Sequence, residues 1–119
     1  MFKMLPCLVV ALGLCGCQKS ATVAVPQGNA ERGELLVARY GCAACHALPG
    51  ALNQGANVGP PLFGMARRGY IGGVLPNTPD NMVRWLQDPP QVDPRTAMPS
   101  LGVSAAEAAD ITAWLYTLK

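Results

Sequence analysis

Residues 41–46, Gly-Cys-Ala-Ala-Cys-His, decide the fold of this 119-residue chain. Two thiols and the only histidine of the chain lie within five consecutive positions. A simple disulfide between Cys42 and Cys45 would leave His46 without a role. A structural zinc site needs four ligands, and no second Cys or His pair accompanies this one. A thioredoxin-like redox pair would lie in a βαβ pattern, and the sequence lacks that pattern.

The spacing Cys-x-x-Cys-His is the signature of c-type haem attachment. The thiols of Cys42 and Cys45 add across the two vinyl groups of the porphyrin, and the two-residue spacer matches the separation of these groups. His46 follows directly, so its imidazole lies under the iron as the proximal ligand. The sequence therefore predicts one covalently bound haem c with its iron.

Capping residues predict two helices, one directly before the motif and one near the C-terminal end of the chain. Asn29 is a good N-cap and Gly41 a good stop, which together predict a helix over 30–40. Ser104 followed by Glu107 forms a capping box that opens a last helix. These two terminal helices frame the domain.

Between them, glycine and proline dominate and predict irregular backbone. No alternating strand pattern of useful length is present, so the sequence predicts a small, all-α, loop-rich fold. The remaining predicted elements are a loop over 47–79 with a short helical stretch around 62–68, a helix over 80–87 capped by Thr78 or Asp80, a loop over 88–103, and an end of the last helix near Leu118.

The N-terminal stretch predicts export and anchoring. Lys3 precedes an apolar run that is too short to span a bilayer comfortably, and the run ends in Leu-Cys-Gly-Cys at 14–17. That ending resembles a bacterial lipobox, which implies a lipidated Cys17. We therefore expect a lipoprotein-type signal peptide over 1–16, a lipidated Cys17 with a flexible tether over 17–28, and a domain over 29–119, anchored at a membrane in the bacterial periplasm. The alternative is an ordinary signal peptide that is cleaved after a small residue such as Ala24.

Residues 30–119 resemble a class I cytochrome c domain. Gly33 stands nine positions before Cys42, where the family's N-terminal helix crosses its C-terminal one. Ile111 and Trp114 match the partners on the last helix, while Val37 replaces an aromatic residue of many relatives. The resemblance implies a class I cytochrome c fold with crossing terminal helices and the haem in the core.

The pocket residues follow from the same resemblance. Gly-Pro-Pro-Leu at 59–62 is similar to the family's Gly-Pro-x-Leu loop. By that likeness, the Pro60 carbonyl accepts the His46 proton and Leu62 packs on the haem. Residues 85–89, Trp-Leu-Gln-Asp-Pro, resemble the helix on the far side of the pocket.

The second axial ligand of the iron can be narrowed by elimination. His46 has no second histidine as a partner, and Lys19 and Lys119 are poorly placed. Met98 lies in a Thr-Ala-Met-Pro loop between two helices, which favours it over Met65 and Met82, and the family's ligand lies in a matching loop. Met65 and an open site remain alternatives.

Four other side chains have two interpretations each. Arg67 and Arg68 either bind the haem propionates, as an arginine near this position does in relatives, or are solvated. Tyr70 and Trp85 either form hydrogen bonds near the haem or belong to the core.

The formal charge of +2 and the absence of a basic run give little support to nucleic-acid binding, and we expect no nucleic-acid partner. With both axial positions filled, we expect an electron carrier rather than an enzyme, present as a monomer or as a subunit of a complex.

The segments 75–80 and 93–99 resemble cytochrome domains associated with respiratory terminal oxidases. An oxidase is therefore the leading partner, and a quinol-linked or cytochrome-linked protein is the expected donor. The alternatives are a haem subunit of a periplasmic dehydrogenase complex, and a haem peroxidase or gas sensor.

Overall fold

A computed structural model describes residues 28–119; the predicted signal peptide, Cys17 and the tether up to residue 27 lie outside the described residues. The described part is mostly helical and confirms the predicted fold class. None of its helices is long and apolar enough to cross a bilayer. In chain order the helices are α1 (Ala30–Arg39), α2 (Pro79–Gln87), α3 (Pro89–Val92) and α4 (Ala105–Leu115). Single 3₁₀ turns lie at Cys42–Ala44, Gly50–Leu52 and Met65–Arg67. Two strands of two residues each, β1 (Tyr70–Ile71) and β2 (Leu75–Pro76), pair as an antiparallel hairpin.

The helices begin where local side chains cap them. The Asn29 side chain accepts a hydrogen bond from the Arg32 amide, and α1 ends before Gly41, which adopts a left-handed backbone with φ of 69°. At α4, Ser104 and Glu107 exchange both hydrogen bonds of a capping box. Of the two predicted caps of α2, Thr78 is the one used, because its hydroxyl accepts the Asn81 amide proton.

Two predicted boundaries are wrong. The segment 88–103 is not all loop, since α3 begins at Pro89 directly after α2 ends. Proline is favoured in a first helical turn, where its missing N–H costs nothing, so the same residues that stop α2 start α3. The last helix ends at Leu115 rather than near Leu118, because the Leu118 amide bonds to the Leu115 carbonyl in a tighter turn.

Helices α1 and α4 cross at Gly33, as predicted. A Cβ atom at this position would stand 2.9 Å from the Trp114 Cβ and would collide with the Asp110 carbonyl. The glycine therefore lets the two helix backbones touch. Val37, Ile111 and Trp114 are buried around the crossing, so the smaller Val37 side chain is still enclosed.

Polar contacts close both ends of the crossing. The Asp110 carboxylate, 6% exposed, accepts hydrogen bonds from the Asn29 amide at 2.7 Å and from the Arg32 guanidinium at 2.8 and 2.9 Å. The Arg32 guanidinium holds the pKa of Asp110 below its usual range. At the other end, the Tyr40 hydroxyl donates to Glu107 at 2.8 Å. The frame that carries the motif is thus fixed on two sides.

Candidate haem site

The motif forms a tight turn directly after α1. The amides of Cys45 and His46 both donate to the Cys42 carbonyl, at 3.2 and 2.9 Å. Cys42 and Cys45 are free thiols, both half-buried, and burial raises the pKa of the Cys42 thiol. The fold therefore brings two unpaired thiols and the imidazole together on a single turn.

The imidazole of His46 is oriented by a backbone carbonyl. Its Nδ1 lies 2.7 Å from the Pro60 oxygen, the contact that the sequence predicts. Since a carbonyl can only accept, Nδ1 carries the proton and Nε2 is the nitrogen left for a metal. Two backbone bonds flank this contact, from the Gly59 amide to the Cys45 carbonyl at 2.6 Å and from the Leu62 amide to the Ala47 carbonyl at 3.0 Å.

Gly59 is a site residue that the sequence indicates only as part of a loop motif. A Cβ atom on it would stand 2.7 Å from Nδ1 and 3.0 Å from Nε2 of His46. The missing side chain makes room for the imidazole ring beside the Pro60 carbonyl. The Gly-Pro pair at 59–60 is the sequence signal that could have predicted this close approach to the imidazole.

The donor set fits a covalently bound haem. The turn offers two thiols for thioether bonds and one imidazole whose tautomer is set for ligation through Nε2. Among residues 28–119, no group of three or more His, Cys, Asp or Glu side chains could hold a bare metal ion. A zinc site of the usual four-ligand kind has no basis in this part of the chain.

The three methionines outside the N-terminal stretch lie in different surroundings. Met82 and Met65 are core residues, 2% and 7% exposed. Met98 is partly buried against the core in the loop between α3 and α4. Its amide donates to the Thr96 hydroxyl at 3.2 Å, which shapes the loop locally. The assignment of Met98 as an iron ligand stays a prediction.

The other predicted pocket residues separate into buried and exposed side chains. Leu62 and Trp85 both lie in the buried core. The Trp85 ring packs against the backbone of Gly72, where a Cβ atom would stand 2.9 Å from two ring carbons. Tyr70 is 65% exposed, which does not favour the alternative that places it in the core.

The two predicted propionate arginines differ in their partners. The Arg68 guanidinium donates through Nη2 to the Pro61 carbonyl and, at 3.1 Å, to the Phe63 carbonyl. Arg67 is exposed at the end of the 3₁₀ turn Met65–Arg67. Binding of the propionates by either residue stays a prediction, but Arg68 also holds the loop that follows Pro60, a contact the sequence did not indicate.

The family model for cytochrome c matches residues 30–119, so this chain belongs to the cytochrome c family. Its members transfer electrons by means of a covalently attached haem c, and that is the class of protein that this fold and site define.

Two individual proteins are similar to this chain. The chain is 29% identical over 91 residues to "Cytochrome c oxidase subunit 2" of Alkalihalophilus pseudofirmus; the match covers 76% of this chain but only 26% of that protein. The chain thus spans about a quarter of the length of that curated relative. Its fold is similar to the crystal structure of cytochrome c2 from Paracoccus denitrificans, with a TM-score of 0.55, 20% identity, and coverage of 76% of this chain and 95% of the other.

Proposed function

We propose that this protein is an electron carrier with one haem, bound through Cys42 and Cys45, whose iron is ligated by His46 and Met98. The observation that carries the proposal is the 2.7 Å contact between His46 Nδ1 and the Pro60 oxygen, because it presents Nε2 of the only histidine as a ready ligand. The sequence contains a single Cys-x-x-Cys-His motif, which gives one haem.

Each residue has a separate task in this proposal. The bound haem supplies a one-electron couple. The two thiols keep it attached, the Pro60 carbonyl orients the imidazole and raises its basicity, and the soft thioether of Met98 raises the reduction potential relative to a second imidazole. With both axial positions filled, no site is open for a substrate, which favours a carrier over an enzyme.

Replacement of each methionine in turn tests the axial pair. Met98→Ala should abolish the weak long-wavelength absorption band of a thioether bound to ferric iron, lower the potential and allow carbon monoxide to bind. Met65→Ala and Met82→Ala are the matched controls and should retain the band. If Met65→Ala removes the band and Met98→Ala spares it, the distal assignment is wrong. If the unmodified protein binds carbon monoxide readily, a gas sensor or peroxidase is the better interpretation.

We propose a terminal oxidase as the electron acceptor. Support comes from the cytochrome c oxidase subunit 2 that shares 29% identity with this chain, and from the resemblance of the segments around α2 and the Met98 loop to oxidase-associated domains. Reduced protein added to membranes that contain an oxidase should be reoxidised at a rate that depends on its concentration. Co-purification with a dehydrogenase, together with slow reoxidation by the oxidase, would favour the dehydrogenase-subunit alternative.

We also propose that a lipid on Cys17 anchors the domain at a membrane in the periplasm. The support is the lipobox-like run at 14–17. Cys17→Ser should yield an unprocessed or soluble form in cell fractionation. A variant that fractionates and migrates like the parent protein would contradict the anchor.

A further inference from the structure

The segment that carries the Pro60 carbonyl is secured from outside by Arg68. Pro60 and Pro61 have no backbone N–H, so this part of the loop can be held only through its carbonyls and its neighbours. One Arg68 nitrogen, Nη2, donates to both the Pro61 and the Phe63 carbonyls. Pro61 directly follows Pro60, whose carbonyl accepts the His46 proton. The Pro61 carbonyl is therefore fixed by the Arg68 side chain.

Arg68 is in turn fixed by Asn77. The Asn77 amide nitrogen donates to the Met65 and Arg68 carbonyls, both at 2.9 Å. Its amide oxygen accepts the Tyr116 hydroxyl proton at 2.6 Å. Both hydrogens and the oxygen of the Asn77 side chain are thus bonded, and they join the turn before the hairpin to the end of α4.

Tyr116 gives this arrangement a rigid base. Its side chain is 2% exposed, and burial raises the pKa of its hydroxyl, so the group remains a hydrogen-bond donor. A hydrogen-bonded series therefore runs from Tyr116 through Asn77 and Arg68 to the Pro61 carbonyl, which is covalently next to the acceptor of the His46 proton.

We propose that Asn77 is a positioning residue for the proximal ligand: acting through Arg68, it keeps the Pro60 carbonyl aligned with His46 Nδ1. This inference rests on the proposed role of His46 as an iron ligand. If the series is broken, the Nδ1 hydrogen bond lengthens, the imidazole becomes a poorer electron donor to the iron, and the ferrous state is favoured. The reduction potential should then rise.

The experiment compares three variants of the series, none of which changes the net charge, with a matched variant outside it. Asn77→Leu removes all three side-chain bonds, and Tyr116→Phe removes one hydroxyl without a change in charge. Tyr40→Phe is the control. It also removes a partly buried hydrogen bond of a tyrosine hydroxyl, but that bond joins Tyr40 to Glu107 at the α1–α4 crossing. Spectroscopic redox titration of the holoprotein measures the potential, and proton NMR measures the exchange of the His46 Nδ1 hydrogen with water.

We expect Asn77→Leu to raise the reduced-to-oxidised ratio at a fixed solution potential at least threefold, about 28 mV for one electron. Tyr116→Phe should shift the ratio in the same direction by less, and both variants should speed the exchange of the Nδ1 hydrogen. Tyr40→Phe should change neither quantity. Arg68→Lys keeps the positive charge but cannot bridge two carbonyls in the same way, so it should follow Asn77→Leu.

Several results would overturn the proposal. Variants that lose thermal stability while potential and exchange stay at the parent values would show a purely structural role, as would an equal shift in Tyr40→Phe. If Asn77→Leu does not fold, an unchanged Tyr116→Phe is sufficient to reject the proposal. A failure of the proposed function is seen separately, because the unmodified protein would then hold no haem through Cys42 and Cys45, or would keep its low-spin spectrum when His46 is replaced.

Discussion

A methyl group added at Gly59 tests whether the close fit around the imidazole is as tight as the structure shows. In Gly59→Ala the new carbon would stand 2.7 Å from His46 Nδ1. Non-bonded carbon contacts are normally about 3.5 Å or longer, and the ring carbon Cε1 would lie even closer to the new carbon than Nδ1 does, so the ring must retreat by about 1 Å. It cannot do so without stretching the 2.7 Å bond to Pro60. We therefore expect both a loss of stability and a disturbed proximal ligand.

The size of the effect follows from two opposing contributions. Overpacking of this kind costs about 1–3 kcal/mol, whereas a glycine replaced by alanine at a compatible position gains about 0.4–1 kcal/mol through the unfolded chain. The net destabilisation should be about 1–2 kcal/mol, which lowers the Tm of a domain of this size by about 5–15 °C.

Thermal unfolding of the holoprotein, followed by circular dichroism, measures this change. Gly69→Ala is the matched control, because a Cβ atom there would have no neighbour within 4 Å and the backbone is not left-handed. The control should be as stable as the parent protein or slightly more stable. If Gly59→Ala and Gly69→Ala unfold at the same temperature with the same spectrum, the imidazole is not confined by the backbone of Gly59.

Three further predictions concern the frame around the site. Gly33→Ala should lower the free energy of unfolding by about 2–3 kcal/mol in denaturant titrations, since its Cβ would meet the backbone of α4 rather than a movable side chain; a neutral result would mean that the helices separate at little cost. The lowered pKa of Asp110 stabilises the fold above the unfolded carboxyl pKa of about 4, and this contribution is lost as the pH falls through the folded value. Unfolding measured at pH 7 and near pH 3 should therefore show a smaller acid-induced loss in Asp110→Asn than in the parent, and equal losses would contradict the assignment. Met82→Ala should cost about 2–5 kcal/mol of stability in the same titrations while leaving the absorption spectrum unchanged; a changed spectrum would indicate that Met82 contacts the haem.

The sequence predicted the elements whose ends depend on neighbouring residues. The Asn29 cap, the left-handed Gly41 and the Ser104–Glu107 box act within one helical turn, so their effect is visible in a short stretch of sequence. The boundary at Pro89 was wrong for a similar local reason, because proline both ends one helix and suits the first turn of the next.

The site was predictable where chemistry depends on spacing and not where it depends on contacts between distant residues. Cys42, Cys45 and His46 were identified from their spacing, and the Pro60 contact from the resemblance. Asn77 and Tyr116 are 39 residues apart and were missed, since nothing local to either residue indicates a hydrogen bond between them.

By itself, then, the sequence determined the attachment motif, the class of cofactor and the two terminal helices, because thiol spacing and capping chemistry are properties of adjacent residues. Only the tertiary structure showed which carboxylate joins α1 to α4 and why position 59 requires a glycine. It also showed how Arg68, Asn77 and Tyr116 secure the loop beside His46. These features arise when segments that are far apart along the chain meet, and their hydrogen bonds exist only once the helices have packed.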